Sequence, residues 1–244
     1  MAIYEFAGCT VSYEPLYPLL QRQMEPYRST EKTQGKKAEP DIVLTGTKGY
    51  YEKKQKQHTN LTKEQCEYIF AGAEFYRKLL RYQGFMLHAS ALEMNGRAYL
   101  FSASSGTGKS THAGLWQKTF GEGRVRIIND DKPAVCEKDG IFYACGTPFS
   151  GKTDKNENRR APIQGLCMLQ RGKENRIRQI TAKEALPLLL PQTLLSGQAE
   201  EVDRLLFMLD SFLQTVPVYR MECTISKKAA EMAYAYMKGE EHGS

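Results

Sequence analysis

The chain has 244 residues, 41% of them hydrophobic and 25% charged, with a formal net charge of +6. That length can bury a full core, the composition is ordinary for a soluble globular protein, and the positive balance suits anionic ligands such as nucleotides. No dense basic tract interleaved with aromatics points to nucleic acid, no run approaches a membrane span, and Met1–Phe6 lacks a signal-peptide pattern, so the expected compartment is the cytoplasm.

Met1 to Ser12 alternates at Ile3, Phe6 and Val11 and predicts a hairpin around Gly8; Leu16 to Met24 fits a short strand or a short helix equally. Arg28 to Pro40 is polar and charged and reads as an exposed loop, with Lys36-Lys37 solvated. Asp41 to Thr45 is a β-type run, and a second polar stretch, including Lys53-Lys54, extends to Asn60. Thr62 with Gln65 three residues on forms a capping box for a helix whose stripe is Ile69, Phe70, Ala73, Tyr76, Leu79 and Leu80. Phe85 to Leu92 predicts a strand, turned at Asn95-Gly96 into a strand over Ala98–Ser102. Further β-type runs are Val125–Ile128, Ala134–Cys136, Ile141–Tyr143 (after a turn at Asp139-Gly140) and Gly165–Leu169. From Thr181, capped with Glu184, the chain turns helical, interrupted by Pro187 and Pro191. An amphipathic stripe from Val202 to Leu213, a strand from Val216 to Cys223 and a helix from Ser226 to Lys238 complete it. The six cysteines are dispersed, without C-x-x-C, and read as reduced, packed thiols.

The chemistry centres on Ala103 to Thr111. An apolar strand, the small-residue loop Ala103–Gly108, Lys109-Ser110 and a helix from His112 to Phe120 follow in the order of a phosphate-binding loop. A polyphosphate needs several inward backbone N–H groups, and a helix N-terminus adds partial positive charge. Gly106 and Gly108 allow close backbone approach, with Ser105 and Thr107 between and before them and Thr111 after. Lys109 offers a mobile cation for the outer phosphates, and the Ser110 hydroxyl a ligand for Mg²⁺. Ala103 departs from G-x-x-x-x-G-K-[ST] at its first glycine. The bland alternative is an ordinary strand-to-helix turn with a solvated lysine.

Asp130 and Asp131 follow the Val125–Ile128 strand, where a nucleotide site needs acids. One can hold Mg²⁺ and the other accept a proton from an attacking hydroxyl; the alternative is a turn before Pro133. His88 lies on the strand that the Asn95-Gly96 turn brings beside the loop, so it can reach the phosphates or the acids; otherwise it is a satisfied core histidine. The polar segment Gly146–Arg160 carries Lys152 and Arg160, candidates for closing over a phosphoryl group or recognising an acceptor, or else solvated residues.

Three segments together resemble the kinases related to HPr kinase/phosphorylase and phosphoenolpyruvate carboxykinase: Leu87-His88-Ala89, Ser105-Gly106-Thr107-Gly108-Lys109-Ser110-Thr111, and Asn129-Asp130-Asp131. The resemblance covers roughly residues 85 to 169. It implies an α/β (α+β) fold with a mixed, largely antiparallel sheet around the loop, ATP and Mg²⁺ as cofactors, Asp130 as base and Asp131 as metal ligand. On that basis residues 85–244 form a kinase-like domain, and residues 1–84 a β/α segment packing on it or continuous with it. The expected activity is ATP-dependent phosphoryl transfer to a serine of a peptide or protein, or to a small hydroxyl compound. A nucleotide-binding regulator and a carboxykinase-like enzyme are the alternatives, and a homo-oligomer stays open.

Overall fold

The structure is a computed structural model that describes residues 1–30, 39–151 and 154–239. Lys36, Lys37 and Lys152 lie outside the described residues.

The chain opens with the expected hairpin, β1 (Ala2–Phe6) and β2 (Cys9–Tyr13), and β3 (Ile42–Val43) joins β2 in parallel. Pro18 stands at the first turn of α1 (Pro18–Met24), where its missing N–H costs nothing, and this decides between helix and strand. The polar stretch before Asn60, expected to be irregular, contains α2 (Lys48–Gln57). Thr47 caps it by accepting from the Tyr50 amide, but Tyr51 is its one buried side chain, so no apolar period betrays it. The capping box of Thr62 and Gln65 forms as expected at the head of α3 (Lys63–Leu79). The buried face of α3 is Cys66, Glu67, Ala71, Phe75, Tyr76 and Leu79, rotated from the expected stripe so that Ile69 is 44% exposed. Glu67 explains the rotation. Fully buried, it accepts from the Tyr13 hydroxyl at 2.7 Å and from the Leu16 and Tyr17 amides at 2.6 and 3.0 Å, tying β2, the entry to α1 and α3 together.

The main sheet has nine strands: β4 (Gly84–Met86), β5 (Ala89–Met94), β6 (Arg97–Ser102), β7 (Val125–Asn129), β8 (Ala134–Lys138), β9 (Ile141–Cys145), β10 (Arg160–Arg171), β11 (Arg176–Ile180) and β12 (Val218–Cys223). Its spatial order is β4-β8-β9-β10-β6-β5-β7, with β12 also on β10 and β11 on β12. The sheet is mixed and mainly antiparallel; β10 is parallel to β6 and β12. β5 and β6 form the expected hairpin at Asn95-Gly96, with Ala89 opposite Ser102. The expected Phe85–Leu92 strand is broken at Leu87-His88, because β4 pairs with β8 while β5 pairs with β6 and β7. Arg160, expected in a loop, begins β10. β11 was not expected from the sequence.

β6 is apolar from Ala98 to Phe101 because both its faces are covered there. Tyr99 and Phe101 face α4 (Lys109–Phe120) and α7 (Lys227–Met237), where Trp116 stacks near both at 5.0 and 5.3 Å. Ala98 and Leu100 face the layer of α5 (Ala182–Leu189) and α6 (Ala199–Thr215). α5 runs through Pro187 and gives way to a 3-10 turn at Leu190–Gln192. Residues from β1, β2, α1 and α3 share a third apolar cluster with Ala134, Cys136, Cys145 and Phe149 of the main sheet's margin. All six cysteines are free thiols, five of them buried. Among the described residues no helix is long and apolar enough to cross a membrane.

Candidate functional site

A cleft forms where β6 ends and the loop Ala103–Gly108 leads into α4. Gly106 and Gly108 have φ of 78° and 118°, a region that residues with a Cβ rarely adopt. No side chain caps α4, so the amides of its first turn and their partial positive charge are left without a capping side chain at the mouth of the cleft. Lys109, at the first helical position, is buried, and its Nζ donates to the Ala103 carbonyl at 3.2 Å. Burial pulls its ammonium below the usual lysine range, while Asp131 and Asp130 pull the other way.

The acids come from β7, which lies across β5 from β6. Asn129, the buried last residue of β7, shapes their turn. Its Oδ1 accepts from the Asp131 and Lys132 amides at 3.0 and 2.8 Å, and its Nδ2 donates to the Thr147 carbonyl and hydroxyl at 3.1 and 3.2 Å. Asp130 is buried, and its Oδ1 accepts from the Ser90 hydroxyl of β5 at 2.7 Å. Asp131 Oδ1 lies 3.2 Å from His88 Nε2, and Oδ2 meets the Lys132 ammonium. Burial pushes the Asp131 carboxyl up, but His88 and Lys132 together outweigh it and hold its pKa at about 2.

His88 occupies the break between β4 and β5. Its amide donates to the Gln192 carbonyl at 2.7 Å, its carbonyl accepts from the Ser102 hydroxyl at 2.8 Å, and its Nδ1 is 3.1 Å from Gln192 Oε1. The segment after β9 supplies a further wall. Gly151 has φ of 72°, and a Cβ there would stand 2.6 Å from Asp131 Oδ2. Its amide donates to the Tyr68 hydroxyl of α3 at 2.9 Å. Asn156 accepts from the Tyr27 hydroxyl at 2.6 Å and donates to Gln23 and Ser150 at 3.1 and 2.8 Å. The first 84 residues therefore take part in building the cleft.

The cleft has a volume of about 840 Å³. It brings together His88, Ser105, Gly106, Gly108, Lys109, Ser110, Thr111, Asp130 and Asp131. Leu19, Leu61, Gln65, Tyr68 and Ile69 line it from the N-terminal region. Thr107 instead lines a second cavity of about 460 Å³ with Ser104, Arg171, Gln192 and Arg220. Arg171, the last residue of β10, donates to the Gly106 carbonyl at 2.6 Å and to the Thr107 carbonyl at 3.4 Å. Arg160 is not brought to the cleft: it lines a separate cavity of about 440 Å³ with Cys9 and Thr10, its guanidinium 5.5 Å from the Tyr143 ring centre.

Sequence reasoning did not single out Ser90, Lys132, Gln192, Arg171, Tyr68 or Gly151. Only Asn129 left a usable local signal, as an Asx turn ahead of Pro133. Among the described residues no group of three or more His, Cys, Asp or Glu could hold a metal ion. Ser110 and Asp131, both oxygen donors, line the same cleft, and Mg²⁺ commonly takes one or two protein oxygens and completes its shell with phosphates and water.

The sequence matches no family model and no curated protein. Among solved structures, the HPr(Ser) kinase/phosphatase from Coxiella burnetii aligns with 63% of this chain and 94% of its own, at 10% identity and a TM-score of 0.36. What the cleft can do is carried by its own residues.

Proposed function

We propose that this chain is an ATP- and Mg²⁺-dependent phosphotransferase acting on a hydroxyl group. One observation carries the proposal: an uncapped helix start with buried Lys109 and the acid pair Asp130-Asp131 line a single cleft. The loop amides and Lys109 bind the triphosphate and stabilise charge on the transferring phosphoryl group. Asp130, set by Ser90, accepts the proton of the acceptor hydroxyl. Asp131, with a pKa of about 2, is too weak a base for that role at neutral pH and suits a cation instead. Ser110 and Asp131 would hold Mg²⁺, which neutralises phosphate charge when bound. His88 orients Asp131 through Nε2. The acceptor is a serine of a peptide or protein, or a small hydroxyl compound.

The test is ATP turnover by purified Lys109→Ala and Asp130→Asn variants. Lys109→Ala loses phosphoryl transfer; normal turnover in that variant rejects the site. Asp130→Asn loses at least about a hundredfold in turnover, the usual worth of a general base, while still binding ATP.

A second reading, a nucleotide-binding regulator with little catalysis, is favoured by the engagement of both Asp131 oxygens within the protein. In that case Asp130→Asn leaves nucleotide-dependent partner binding as it was.

A further inference from the structure

Phe207 of α6 is 77% exposed, more than any other aromatic side chain among the described residues. The helix itself holds it there. α6 buries Leu205, Met208, Leu209 and Phe212, the i, i+3, i+4, i+7 positions of one face. At about 100° per residue, Phe207 stands roughly 150° from the middle of that face. A single exposed aromatic needs no explanation by itself, but this one stands at the edge of a cavity of about 480 Å³. The cavity lies between α6, the 3-10 turn Leu80–Tyr82 after α3, and the hairpin of β8 and β9. Its floor is apolar, formed by Leu80, Phe142 and Met208. A space of about 150 Å³ already accepts a benzene ring, so the cavity has room for a phenyl group. Its own Phe207 is turned outward, so a ring that fills it comes from another molecule.

The rim says which molecule. It carries both signs, Arg81 and Arg204 against Glu137 and Asp203. Arg204 is paired with Glu200 at 3.0 Å, and Glu137 accepts from the Gly140 amide at 2.6 Å. The side chains of Arg81 and Asp203 have no hydrogen-bond or ion-pair partner among the described residues. A partner of one predominant charge meets repulsion along half of this rim. A face with a knob, a hole beside it and balanced opposite charges is complementary to itself. That is the condition for a two-fold contact, in which residue i of one copy meets j of the other and j meets i. We propose that this face joins two copies of the chain: Phe207 of each fills the cavity of the other, Arg81 meets Asp203 of the partner subunit, and Asp203 meets the partner's Arg81. No residue lining this cavity lines the cleft of Lys109 and Asp130, so the dimer leaves that cleft open and stands whether or not it transfers phosphate.

The test is sedimentation equilibrium of the purified intact chain over a series of concentrations, without nucleotide. The intact chain follows a monomer–dimer isotherm. Phe207→Glu, at a position too exposed for folding to depend on, raises the dissociation constant at least about thirtyfold, the worth of a hot-spot aromatic. Phe207→Leu, which still offers an apolar knob, costs less. Arg81→Glu and Asp203→Arg each weaken the dimer through like charges brought face to face, and the double variant, which exchanges the two charges, recovers most of the loss. Circular dichroism of each variant confirms that it is folded. A chain that is monomeric at every concentration overturns the inference and leaves the groove to a different protein. A dimer indifferent to Phe207→Glu, or a double variant no tighter than either single one, overturns it as well.

Discussion

His88 Nδ1 and Gln192 Oε1 lie 3.1 Å apart, so the imidazole that faces Asp131 through Nε2 is held at both ring nitrogens. Gln192 ends the 3-10 turn after α5, and its own carbonyl accepts from the His88 amide. Gln192→Ala removes the outer restraint and leaves the ring free to turn away from Asp131. Turnover falls by about tenfold or more, as for other groups that orient a site histidine, with little change in KM for ATP. Steady-state kinetics at saturating and limiting ATP separate the two parameters.

Ser90 donates the hydrogen bond that fixes buried Asp130. Ser90→Ala leaves that oxygen without its donor. A hydrogen bond to a charged group is worth roughly 1.5–3 kcal/mol, so the variant loses about that much unfolding free energy, read from the shift of its urea midpoint, and turns over more slowly. A Ser90→Ala protein as stable and as active as the parent contradicts the role given to this pair.

Gly151 is required twice, by its positive φ and by its approach to Asp131. Gly151→Ala strains the backbone by about 1–2 kcal/mol and presses a methyl group on the carboxylate. Phosphoryl transfer falls, whereas Gly8→Ala, at a positive φ with open space around it, loses stability without this effect on transfer. Thermal melts and turnover of both variants make the comparison.

His112 gives the fold an acid limit. It is buried on α4, accepts from Trp116 Nε1 at 3.2 Å, and burial lowers its pKa from 6.5 to about 4. Its folded pKa is depressed, so the stabilisation is complete above about pH 6.5 and is lost as pH falls towards 4; the full span is roughly 3 kcal/mol. His112→Gln keeps an acceptor for Trp116 and flattens stability between pH 6.5 and 4. Denaturation at several pH values shows whether the slope disappears.

Much of the charged half of the cleft was legible locally. Glycine spacing before Lys109, the Asn95-Gly96 turn and the acids after an apolar run are short-range signals, and the structure brings His88, Lys109, Asp130 and Asp131 to one cavity. What escaped depends on distant pairings. Gln192 reaches His88 across 104 positions, and Tyr68 reaches Gly151 across 83; nothing in the residues around either partner announces the other. The rotation of α3 escaped for a related reason. A buried glutamate with three donors, one of them from β2, overrode the apolar stripe that would have placed Ile69 inside. Arg160 looked like a loop cation because the first residues of β10 lack an apolar period.

Arg171 does not itself line the 840 Å³ cleft, yet through the Gly106 and Thr107 carbonyls it bears on which way the loop's amides face. A trans peptide points its C=O and its N–H in opposite directions. By drawing the Thr107 carbonyl to itself, the guanidinium turns the Gly108 N–H away from itself, at the threshold of α4. A cation at the end of one strand thus helps set the backbone polarity of the loop at the end of its neighbour.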